Sequence, residues 1–130
     1  QDRDGVPDLP SERGQMRSRP TIEVSRDKAG NLRAEGDANR HLLFAFLEGE
    51  VQESVAVADE LLEGIREVLL GKLRRFAWTG NARSVVVTGK RARIVDDYQD
   101  ERVELRIPLI DFQAALTTWK AAVLASSAVD

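Results

Sequence analysis

The side chains that could carry chemistry are few. His41 is the only histidine of the 130 residues and heads an apolar run, and there is no cysteine. Without cysteine, disulfides, thiolate metal sites and thiol nucleophiles are excluded. A histidine base needs an orienting partner and a nucleophile within reach. No serine or carboxylate pairing with His41 can be read from its spacing, so it is read as structural. The run Asp96-Asp97-Tyr98-Gln99-Asp100-Glu101 is dense in oxygen ligands. It lacks the alternating ligands, turn glycine and closing glutamate of a calcium loop, which leaves a solvated hairpin connection. The glycines form neither GxGxxG nor GxxxxGK[S/T], so nucleotide hydrolysis is not expected. Paired acids can cleave glycosides, but nothing in the spacing sets two carboxylates across a cleft. The expectation is a protein that is not an enzyme and has no metal and no cofactor.

Charge is more informative. The net charge is −3, but it is unevenly placed. Residues 41–71 carry seven acids against Arg66 alone, giving −6, while residues 72–106 carry nine bases against five acids, giving +4. Glu53, Glu60 and Glu67 are seven apart, with Glu63 beside them. On one continuous helix they would form a line of carboxylates. Exposed helices commonly intersperse lysine to gain i,i+4 pairs, and here only Arg66 does so. That line is read as a partner-binding surface for a basic protein, such as a toxin. The alternative is an arginine-rich face of Arg75, Arg91, Arg93, Arg102 and Arg106, suited to nucleic-acid phosphates. Single-strand binders place aromatics among such cations for base stacking, and Phe76 and Trp78 fall on the opposite side.

The elements that must position these residues follow from periodicity. Residues 1–20 mix Asp, Arg, Gly, Pro and Ser without apolar pattern and are read as a flexible tail before a single domain over 21–130. No charged-then-apolar pattern is read at Gln1, so the chain is expected to be a fragment of the translated product, and Met16 is read as nearer the functional start. The longest apolar run, Leu42 to Leu47, is far short of the roughly 20 residues that span a bilayer. A cytoplasmic protein without a membrane partner is expected, since a cysteine-free chain suits a reducing compartment.

Ile22 and Val24, then Leu32 and Ala34, alternate around Asp27-Lys28-Ala29-Gly30-Asn31, the form of a hairpin. His41 to Leu47 is apolar on both alternating faces and reads as a covered strand, although so short a run also suits a helix. Val51, Val55, Ala58, Leu62, Ile65 and Leu69 recur at spacings of four and three, predicting an amphipathic helix that Gly71-Lys72 ends. Its apolar face would include Leu62.

Gly80-Asn81 and Gly89-Lys90 both suit two-residue hairpin turns. The first would set Phe76 opposite Val85. The second would set Val87 opposite Ala92 and Val86 opposite Arg93. Val103, Leu105 and Ile107 extend the meander, and a final helix carries Phe112, Ala115, Leu116, Trp119, Ala122 and Val123 on one face. The predicted fold class is α+β: an antiparallel sheet, meander with N-terminal hairpin, under two long helices on one face.

This order resembles the YacL-type family of small bacterial proteins. The resemblance runs from Ile22 to Val123 and rests on Gly30-Asn31-Leu32-Arg33-Ala34, Glu50-Val51-Gln52-Glu53-Ser54, Phe76-Ala77-Trp78-Thr79-Gly80-Asn81 and Asp111-Phe112 leading to Trp119. It implies the fold and no catalytic residues. The arginine-rich strands and the N-terminal extension depart from the family pattern. The format, one compact domain with an acidic face, is also similar to the immunity proteins of bacterial toxin systems.

Overall fold

The computed structural model describes residues 22–96 and 103–129. The predicted tail and most of the acidic run from Asp97 onward lie outside these residues, as does Arg102. Strands β1 (Ile22–Arg26) and β2 (Leu32–Gly36) pair antiparallel as a separate hairpin. Asp27 shapes its loop: one carboxylate oxygen accepts from the backbone N–H of Ala29 and Asn31, each at 2.9 Å. Gly30 takes φ +89°, a conformation that suits glycine.

The segment read as a strand after β2 is a helix. A short 3₁₀ turn, Ala38–Arg40, leads into α1 (His41–Phe46), which widens into a π turn over Leu47–Val51. The reason lies in the period of burial. Leu42, Leu43, Phe46, Leu47, Glu50 and Val51 are buried, whereas Phe44, Ala45, Glu48 and Gly49 between them are half-buried. Two in and two out over ten residues is a helical stripe. The chain leaves it at Gln52, whose φ of 56° is positive. The indole N–H of Trp119 holds this corner, donating to the Gln52 carbonyl at 2.6 Å.

Helix α2 therefore begins later than its apolar spacing suggests. The Ser54 hydroxyl caps it by accepting from the Val57 N–H at 3.1 Å, and the helix covers Val55–Leu69. Glu50 and Glu53 precede it. Its buried positions are Ala58, Leu61, Gly64, Ile65 and Val68. Leu62 is half-buried, and Leu69 is 50% exposed, so the expected stripe is rotated toward Leu61. The helix ends at Gly71 (φ +80°), where the Gly71 and Lys72 N–H groups reach back to the Val68 and Glu67 carbonyls.

Strands β3 (Arg75–Thr79), β4 (Arg83–Thr88), β5 (Arg91–Asp96) and β6 (Val103–Pro108) form an antiparallel meander in that order. The β4–β5 turn has the predicted register, Val87 opposite Ala92 and Val86 opposite Arg93. The β3–β4 register differs by two: Phe76 lies opposite Val87, and Trp78 opposite Val85. A shift of two preserves the faces. Val85, Val87, Ala92, Ile94 and Ile107 are buried in one core with residues of α1, α2 and α3 (Leu109–Val129). Helix α3 contributes Leu109, Phe112, Ala115, Leu116, Trp119 and Val123, while Ala122 is half-buried. The architecture is α+β with an N-terminal hairpin. Among the described residues no helix is long and apolar enough to cross a membrane.

Candidate anion-binding face

With the helices on one side of the meander, the other side presents Arg75 and Ala77 from β3, Val86 and Thr88 from β4, Arg91 and Arg93 from β5, and Glu104 and Arg106 from β6. Arg75, Val86, Thr88, Arg91, Arg93 and Arg106 line an open hollow of about 350 Å³. Toward the other end Val95 is buried and Glu104 is exposed.

Arg93 and Arg106 are directly opposed across β5 and β6. Like charges in that position repel. Glu104 relieves the repulsion by bridging both, Oε1 to Arg93 Nη1 at 3.3 Å and Oε2 to Arg106 Nε at 2.9 Å. Partial burial raises the Glu104 carboxyl pKa; the Arg93 hydrogen bond and the charges of Arg106 and Arg93 outweigh this and hold it below its ordinary value. Among the described residues Arg75 and Arg91 make no ion pair, and Glu104 is the one acid on this face.

The predicted acidic line loses its first member, Glu53, which lies outside α2. Glu60, Glu63 and Glu67 are on α2, with Glu67 half-buried. Glu53 sits in the link before the helix, and Arg26 grips both its oxygens at 3.1 and 3.0 Å. That hydrogen-bonded arginine outweighs burial and keeps the Glu53 carboxyl below its ordinary range. Neighbouring acids are also partnered, Asp59 by Lys120 and Glu63 by Arg66. The spacing of seven held in sequence, but Glu53 is not in the helix that carries the other two.

His41 is exposed at the start of α1. Among the described residues no group of three metal-ligating side chains could hold an ion. A second cleft, of about 480 Å³, lies by Arg33, Glu48, Gln52 and Trp119. Glu48 there accepts from the Ala34 N–H at 2.7 Å and from Arg33 Nε at 3.1 Å, stitching the hairpin to the π turn.

No family model, curated protein or solved structure matches the chain. The candidate face therefore rests on its own geometry.

Two buried charges were missed by sequence reasoning, Glu50 and Asp96, the latter read as part of a solvated connection but buried at the end of β5. The Glu50 side chain is 2% exposed, and its carboxylate accepts from Asn81 N–H (2.7 Å), Ala82 N–H (3.1 Å) and Arg83 Nη1 (3.4 Å). Arg83 Nε in turn lies 3.6 Å from Asp96 Oδ2. The Gly80 N–H donates to the Arg83 carbonyl at 2.9 Å, so the β3–β4 turn is centred on Asn81-Ala82, one residue later than the expected Gly80-Asn81, and Glu50 accepts from both of its amides. The signal was available: Glu50 is eight residues after Leu42, on the buried stripe. Glu50→Ala takes the acceptor from two loop amides and leaves Arg83 with Asp96 alone among the described residues, and should cost about 3–5 kcal/mol. Urea denaturation checks this; an unchanged midpoint would show that the loop does not depend on the carboxylate.

Proposed function

We propose that this protein is a non-enzymatic binding module that grips the phosphate backbone of nucleic acid through the outer face of its sheet. The observation that carries the reading is the hollow into which Arg75, Arg91, Arg93 and Arg106 converge. Guanidinium groups suit phosphate oxygens through paired hydrogen bonds. Among the described residues the face carries no aromatic side chain, since Phe76 and Trp78 are turned to the core. Contacts of this kind position a backbone without reading bases, so binding should be largely independent of sequence.

The test is fluorescence anisotropy with mixed-sequence labelled oligonucleotides over a salt series. Affinity should fall steeply with salt; no binding by the folded protein at low salt would refute the reading. Glu104→Gln frees two arginines from a competing carboxylate. It should strengthen binding roughly threefold to tenfold in the same assay, and an unchanged or weaker affinity would place the ligand away from Arg93 and Arg106. The same release by acid follows from the sign of the Glu104 shift: the carboxylate stays ionised until the pH drops below its ordinary range, and affinity should rise only there.

The second reading is a basic protein partner on α2, of the inhibitor or immunity type. It is favoured by Glu60, which is exposed and has no ion pair among the described residues.

A further inference from the structure

Resting on the nucleic-acid reading, we infer that the ligand is duplex DNA of B form, straddled across its major groove by the two edges of the sheet. Arg75 is on one edge strand, β3, and Arg106 on the other, β6, with Arg91 and Arg93 on β5 between them. Three inter-strand spacings of about 4.8 Å place the edges roughly 14 Å apart. The major groove of B-DNA is about 12 Å wide, so cations at both edges meet phosphates of the two flanking strands. A single strand would instead call for a linear track of cations with stacking aromatics. The arginines here spread in two dimensions over an aliphatic floor, Val86. Duplex RNA has a deep, narrow major groove, which does not match this span.

Further charge lies at the same end of the sheet. Lys90 occupies the β4–β5 turn beside Arg91, and its carbonyl accepts from the Leu109 N–H at 2.9 Å, which fixes that turn against α3. Lys72 and Arg74 stand in the exposed link that leads into Arg75. The positive field therefore grows toward this end, away from Glu104, and sets a direction for the approaching backbone.

The test compares a short mixed-sequence DNA duplex, one of its single strands, and the RNA duplex of the same sequence. Each is titrated by anisotropy between about 50 and 200 mM salt. The DNA duplex should bind at least about tenfold more tightly than either competitor, with a log–log salt slope near −3.6 for four phosphate contacts. Arg75→Ala and Arg106→Ala, at opposite edges, should each lower the slope by about 0.9. Equal or tighter binding of the single strand or the RNA duplex overturns the straddling geometry while leaving the nucleic-acid reading intact. So does a slope that responds at one edge only. Failure to bind all three overturns both.

Discussion

Leu61→Asp should unfold the protein or leave it several kcal/mol less stable, whereas Leu62→Asp, one residue on, should cost only about 1 kcal/mol. Leu61 is fully buried, at 0% exposure, in the core shared by α2, α3 and the sheet. A carboxylate there loses its hydration without a partner and removes the packing of a leucine. Small domains hold only about 5–15 kcal/mol in total, so a change of 4 kcal/mol or more removes much of it. The Leu62 side chain is half-buried at the rim of the same core. Its aspartate can turn to water, leaving the loss of partial apolar burial. Circular dichroism and thermal melting of the two variants read the difference. Equal melting temperatures would mean that α2 is rotated from the orientation described.

Reversing the two unpaired cations, Arg75→Glu with Arg91→Glu, should weaken nucleic-acid binding about 100-fold or more at low salt. Two phosphate contacts are lost, and two carboxylates then face the backbone. Both side chains are exposed, so the fold should melt nearly as before, since surface charges contribute little stability. Glu60→Lys with Glu67→Lys is the matched control: it changes net charge by the same amount in the opposite sense, at the far side of the sheet. Its affinity should rise only slightly, through the general field. A similar loss in both variants would mean that neither face is the interface.

Much of the fold was legible because it is written in short-range patterns. The Asp27–Asn31 loop, the Gly89-Lys90 turn and the alternation in β3 to β6 each follow from local turn and pleat chemistry. The faces of the sheet could therefore be assigned correctly even though the β3–β4 register was off by two. The errors came where a distant contact decides. The stretch from Leu42 to Leu47 is apolar at every position, so period alone cannot separate strand from helix. The polar residues that reveal the helical stripe, Glu48 and Glu50, lie just beyond it. Likewise the spacing from Val51 to Val55 continues the helical period smoothly. It hides the break at Gln52, which Trp119 stabilises from 67 residues away in the chain. That break removed Glu53 from the acidic line. The arginine face survived because it depends only on strand parity, with Arg102 falling outside the described residues.

Whether the outer sheet face is the functional surface can be decided by mapping it residue by residue. Backbone and arginine side-chain NMR signals of the labelled protein can be followed while a short DNA duplex is added. The largest shifts are expected at Arg75, Thr88, Arg91, Arg93 and Arg106, with α2 from Asp59 to Glu67 nearly unmoved. Shifts concentrated instead on α2, or on the cleft beside Gln52 and Trp119, with the sheet face silent, would contradict that expectation.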